Sequence, residues 1–207
     1  MERLFVVAST ALLLLFAPMV AQAAEDETPA ASKFVTIETN KGAFTIELYP
    51  EKAPQTVQNF LEYVEAGHYD RSIFHRVIDG FVAQGGGYSK YFNERPTRDP
   101  VPYEGNNGLS NVRGTIAMAR TRDPNSATAQ WYVNLRDNTR LDHVSNDLGE
   151  RPGYTVFGHV VDGLPVVDAI GATKTGSGGP FLSDVPLEPI VIDTVKVSDA
   201  PNAQKDG

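Results

Sequence analysis

The chain has no cysteine in 207 residues. That excludes a disulfide framework, a zinc–thiolate or iron–sulfur site and a thiol nucleophile. It also excludes a lipidated cysteine after a leader, and with it a bacterial lipoprotein. A cysteine-free chain suits an oxidising compartment, although reduced compartments tolerate one too. Basic charge is scarce: 18 Lys and Arg stand against 26 Asp and Glu, a net charge of −8. This balance disfavours a nonspecific nucleic-acid binder or a partner of anionic membrane surfaces. Internal repeats and low-complexity segments are absent. The histidines His68, His75, His143 and His159 show no ligand spacing, so no metal or other cofactor is expected. Gly-x-Ser-x-Gly is missing, and Ser110 and Ser126 lie in polar stretches, which argues against a serine hydrolase. Gly85-Gly86-Gly87 is followed by neither a helix nor Gly-Lys-Ser/Thr, so close backbone packing is a better reading than a phosphate cradle.

Long apolar runs are also scarce. One exists, Leu4 to Val20, broken only by Ser9 and Thr10 and followed by Ala21-Gln22-Ala23. A short apolar core before an A-x-A site reads as a secretory signal, residues 1–23, cleaved after Ala23. The alternative is an uncleaved anchor, for which the run sits at the short limit. Residues 24–32 read as a polar linker, 33–198 as one globular domain, and 199–207 as a flexible tail. The mature protein is expected to be exported to the periplasm, with full secretion as the alternative, and to have no stable membrane association.

What remains is rich in short alternating segments. Phe34–Thr39 and Ala43–Leu48 alternate around Asn40-Lys41-Gly42, a hairpin signal. Phe74–Gln84 reads as two strands around Asp79-Gly80. Residues 114–120, 131–135, 154–161 and 190–197 read as further strands. Pro54 opens a helix whose apolar stripe is Val57, Phe60, Leu61 and Val64, and a second short helix follows Gly163. The irregular stretch 87–113 is long enough to suggest a functional loop. About eight strands must bury their faces against one another, which an antiparallel barrel or a sandwich achieves.

The segment Phe74-His75-Arg76-Val77-Ile78-Asp79-Gly80-Phe81-Val82-Ala83-Gln84 is unusual. Strict alternation places Phe74, Arg76 and Ile78 on one face and His75 and Val77 on the other. His75 reads as a buried or half-buried residue with its polar atoms satisfied. Arg76 either snorkels to solvent or is held at the edge of an apolar site. In the second case Phe81 adds an aromatic wall and Gln84 an amide.

FHRVIDGFVAQGG closely resembles the signature of the cyclophilins, the peptidyl-prolyl cis-trans isomerases. GTIAMAR (114–120), the Ala127–Asn134 stretch and Val156–Val160 match in the same order and spacing. The resemblance covers residues 34–197 and is greatest to the exported bacterial branch. It implies a mainly β fold, a closed eight-stranded antiparallel barrel capped by two α-helices. It implies that Arg76 is the catalytic arginine. Phe81, Val82, Tyr132 and Leu141 fall on the apolar proline pocket. Gln84, Ala119, Arg120 and Gln130 fall on positions that hold the peptide backbone, and Tyr154 falls where many members have histidine. Val82 replaces a common methionine, Tyr132 a phenylalanine and Arg120 an asparagine. Arg140 stands where cyclosporin-sensitive members carry tryptophan, so weak cyclosporin binding is expected. Trp131 should face away from Tyr132 and cannot substitute. The implied function is Xaa-Pro isomerisation during folding of exported proteins, with proline-containing polypeptides as substrates. The alternative is a chaperone or peptide-binding scaffold of the same fold with little turnover. No apolar excess demands an oligomer, so a monomer is expected.

Overall fold

The computed structural model describes residues 33–146 and 149–201. The expected signal segment 1–23, the linker 24–32 and the end of the tail, 202–207, lie outside the described residues. Eight strands close an antiparallel barrel: β1 (Lys33–Thr39), β2 (Gly42–Leu48), β3 (Ser72–Ile78), β4 (Val82–Ser89), β5 (Thr115–Met118), β6 (Trp131–Asn134), β9 (Val156–Asp162) and β12 (Val191–Ser198). Their order around the barrel is β1, β12, β3, β4, β6, β5, β9, β2, and β2 pairs back with β1. Closure leaves the barrel without an open edge. Two small hairpins stand apart: β7 (Val144–Asn146) with β8 (Gly149–Arg151), and β10 (Thr175–Gly178) with β11 (Phe181–Pro186). Neither was expected from the alternation of the sequence.

The helices follow the expected pattern. α1 (Pro54–Glu65) buries Val57, Phe60, Leu61 and Val64, and α2 (Leu164–Gly171) buries Val167 and Ile170. Both stripes join one core with the inward side chains of the barrel. Trp131 is the centre of an aromatic group, edge-on to Phe60, Tyr69 and Phe74 at 6.4, 6.2 and 5.5 Å between ring centroids. It faces away from Tyr132, as expected for consecutive strand residues.

Two departures from the expected elements bear on the site. First, β4 does not stop at Gln84 but runs through Gly85-Gly86-Gly87 to Ser89. A Cβ on Gly86, whose φ is +85°, would lie 3.0 Å from Ala129 O, Trp131 Nε1 and a Tyr69 ring carbon. A Cβ on Gly87 would lie 2.6 Å from the Gln130 amide. The glycines thus serve close backbone packing. Second, β3 does not alternate strictly. Phe74 pairs with Gly85 while Arg76 pairs with Gln84, so β3 carries one extra residue, His75. That bulge shifts the phase of alternation. Phe74 and Val77 both enter the core, and Arg76 and Ile78 remain outside. The expectation that Arg76 shares a face with Phe74 fails for this reason.

The stretch between β4 and β5 braces the fold from outside. α1 lacks a side-chain cap and an acidic residue in its first turn. The Glu104 carboxylate supplies both, accepting the Gln55 N–H at 3.1 Å and the Thr56 N–H at 2.8 Å. Replacing Glu104 with Ala should cost about 1 kcal/mol, a fall in Tm of about 2–4 °C for a domain of this size. A thermal melt with unchanged Tm would show that water satisfies these amides equally well.

Candidate active site

The site is one lateral row of residues across five adjacent strands. Arg76 on β3 pairs with Gln84 on β4, Gln84 with Tyr132 on β6, Tyr132 with Ala117 on β5, and Ala117 with Val156 on β9. Residues directly opposite in antiparallel strands share a face, and this is the outer face. Their neighbours Ala83, Trp131, Val133, Ile116, Met118 and Phe157 point into the core. Val82, Ala117, Tyr132 and Val156 form a second, smaller apolar cluster on the outside. Phe81, Leu109, Ala119, Leu141 and Tyr154 pack around it.

This cluster floors a pocket of about 230 Å³. Phe81, Val82, Tyr132 and Leu141 line its apolar part. Arg76, Gln84, Ala119, Arg120 and Tyr154 complete the lining. Gln130 is not among the lining residues, but its Oε1 accepts the Gln84 Nε2 hydrogen bond at 2.9 Å. All ten expected site residues thus belong to one constellation, nine on the pocket and one holding Gln84.

Each wall is fixed by bonds made behind it. The Tyr132 hydroxyl does not enter the pocket. It donates to Asn111 Oδ1 at 2.9 Å, within a buried network that includes Asn134, Thr115 and Asn138. Burial, and secondarily Tyr154, hold its phenol well above the ordinary range, so it stays protonated and donating. Asn111 also donates to Leu141 O, and its backbone N–H reaches Asp142. One asparagine therefore links the floor at Tyr132 to the wall at Leu141. Nothing in the local sequence marked Asn111, because its partners are 21 and 30 residues away.

The Arg120 side chain turns from the pocket to Gly153 O and Thr121 O and lies over the Tyr154 ring at 4.6 Å. The adjacent backbone is held by Ala119 N–H to Gln130 O at 2.9 Å. Arg140 lies over Phe81, its guanidinium carbon 4.7 Å from the ring centroid. Arg76 differs from these arginines. Among the described residues its polar partner is Asp184, with Nε to Oδ2 at 3.9 Å. Its side chain is 42% exposed. Among the described residues no group of three or more His, Asp or Glu could hold a metal ion.

The matching family model spans residues 34–197 and describes the cyclophilin type peptidyl-prolyl cis-trans isomerases. The chain belongs to this family. It is 48% identical over 165 residues to peptidyl-prolyl cis-trans isomerase B of Escherichia coli, covering 80% of this chain and 99% of that one. It is 46% identical over 166 residues to peptidyl-prolyl cis-trans isomerase A of Dickeya dadantii, covering 80% and 85%. Among solved structures it resembles a cyclophilin type isomerase of Cryptosporidium parvum determined in the presence of the dipeptide Ala-Pro. That match has a TM-score of 0.63 and 25% identity, covering 81% of this chain and 99% of the other.

In this cyclophilin the residue before the arginine is buried but not satisfied, contrary to expectation. His75 is 3% exposed, 4.7 Å from the Tyr88 ring and 5.6 Å from the Phe181 ring, and its Nδ1 has no hydrogen-bond partner among the described residues. Burial, and then the charge of Arg76, lower its pKa from 6.5 to about 4. The unfolded chain therefore binds more protons than the fold between these values. This contribution to stability is complete above pH ~6.5 and is lost as pH falls toward ~4. Its ceiling is on the order of 3 kcal/mol. Chemical denaturation at pH 7 and pH 4.5 should show a loss at the lower pH that His75→Phe reduces. An identical loss in the variant would place the acid sensitivity elsewhere.

Proposed function

We propose that this cyclophilin isomerises Xaa-Pro bonds in exported proteins as they fold, with Arg76 acting on the prolyl nitrogen. The observation that carries the reading is Arg76 on the rim of a pocket with apolar walls, its Nη groups making no hydrogen bond among the described residues. Export rests on the leader-like residues 1–23 and the Ala21-Gln22-Ala23 site, and the proposed compartment is the periplasm.

The chemistry needs little machinery. The peptide C–N bond resists rotation by about 18–20 kcal/mol because the nitrogen lone pair is shared with the carbonyl. At Xaa-Pro both isomers are populated, yet exchange takes tens to hundreds of seconds. A guanidinium N–H donated to the prolyl nitrogen favours the pyramidal nitrogen of the twisted state over the planar ground state. That is stronger binding of the transition state than of the substrate. Arginine suits the role because it stays charged and presents a stiff planar fork. The pocket formed by Phe81, Val82, Tyr132 and Leu141 grips the proline ring while the other side of the bond turns. Gln84, Ala119 and the backbone of Arg120 hold the substrate backbone, with Gln130 fixing Gln84. The apolar walls lower the local dielectric and strengthen the field of the arginine. Because the Tyr132 hydroxyl is engaged by Asn111, the tyrosine presents its ring to the pocket much as phenylalanine would.

NMR exchange between the isomers of an Ala-Pro peptide tests the reading. The protein should accelerate exchange, and Arg76→Ala should reduce the rate by about 10²–10³, the equivalent of about 3–4 kcal/mol in the barrier. Equal rates in both proteins would mean that Arg76 is a surface residue. Binding of the peptide without faster exchange would favour a scaffold.

We also propose that the protein is a monomer with weak affinity for cyclosporin. Arg140 supports the latter, since its guanidinium already lies over the Phe81 ring. Titration should give no nanomolar dissociation constant, and Arg140→Trp should tighten binding. A nanomolar constant for the unaltered protein would contradict this.

A further inference from the structure

The β10–β11 hairpin lies beside β3, and two features of it converge on the arginine. Phe181 docks the hairpin among rings, 5.6 Å from His75, 5.1 Å from Tyr88 and 6.3 Å from Phe92. Three residues later, Asp184 brings its carboxylate to Arg76 Nε at 3.9 Å. Asp184 falls in an irregular part of the ladder. Gly176 pairs with Val185 and Gly178 with Phe181, so Leu182, Ser183 and Asp184 oppose one residue of β10. Such a bulge re-aims a side chain. The backbone of Asp184 is also left-handed, with φ of 65°, a strained conformation for a residue other than glycine. A bulge in β3 thus turns Arg76 outward, and a bulge in β11 turns Asp184 toward it.

We infer that Asp184 is a positioning residue for Arg76. It engages the guanidinium on its Nε side and leaves both Nη groups for the proline nitrogen. The inference rests on the proposed role of Arg76. An arginine side chain has many rotamers, and a carboxylate at Nε removes much of that freedom before the substrate arrives. The carboxylate also opposes the positive field, but it is 36% exposed and water screens it. Orientation outweighs damping, so removal of the carboxylate slows catalysis.

Asp184→Asn is the informative change, because asparagine also tolerates the left-handed backbone and loses only the charge. Steady-state isomerisation of an Ala-Pro peptide would be measured on the full chain, on Asp184→Asn, on Arg76→Ala and on the double variant. The expected result is a fall in kcat of about 2- to 5-fold in Asp184→Asn, the size of an exposed ion pair. KM should stay within about 1.5-fold, since an interaction felt in the transition state alone lowers kcat. Asp184→Glu should recover part of the loss. High salt should slow the unaltered protein toward the rate of Asp184→Asn and leave that variant unchanged. In the Arg76→Ala background Asp184→Asn should change nothing further. Full or increased kcat in Asp184→Asn, or the same loss without Arg76, would overturn the inference while leaving the arginine mechanism intact. A fully active Arg76→Ala would instead remove the arginine mechanism, and this inference with it.

Discussion

The structure depends on the two-residue alternation of strands in a closed barrel, and on the one place where that alternation slips. Closure assigns alternate residues to an inner and an outer side. The inner side takes the bulky residues, with Trp131 among Phe60, Tyr69 and Phe74. The outer side of β4, β6, β5 and β9 would ordinarily be polar. Here it carries Val82, Tyr132, Ala117 and Val156, an apolar patch with no place in the core. The extra residue at His75 then sets Arg76 on the same outer row. Without that bulge, Arg76 would share the inward phase of Phe74, where an unpaired guanidinium has no tolerable environment.

The pocket walls are held by hydrogen bonds made behind them, and several of the polar side chains around it are engaged with the protein itself. Tyr132 and Leu141 are both tied to Asn111. Gln84 is tied to Gln130, and the absence of a Cβ on Gly87 lets the Gln130 amide lie against β4. Arg120 is bound to Gly153 and Thr121. Side chains already held in this way make few competing demands on a substrate amide. In the proposed mechanism Arg76 is the charged group left to respond when the prolyl nitrogen changes shape, which is differential binding of the transition state.

The barrel was legible wherever alternation was regular. Phe34–Thr39, Ala43–Leu48 and the last strand could be read directly, and so could the stripe of α1. The site residues were legible through the resemblance to the cyclophilins, since they lie on separate strands that only the fold brings together. Three things were hidden, each for a physical reason. The His75 bulge depends on the register with β4, which a single segment does not reveal. The passage of β4 through three glycines runs against strand propensity, because neighbouring Trp131, Tyr69 and Gln130 leave no room for side chains there. Asn111 and Asp184 contact residues 21 and 108 positions away in the chain, distances at which local pattern carries no signal.

The account rests on an arginine that faces the prolyl nitrogen while apolar walls hold the ring. A crystal structure with a bound Ala-Pro peptide tests this most directly. The account predicts the proline ring against Phe81, Val82, Tyr132 and Leu141, with an Arg76 Nη within about 3.2 Å of the prolyl nitrogen or the adjoining carbonyl oxygen. A peptide bound elsewhere, or a proline in the pocket with Arg76 turned to solvent, would contradict it.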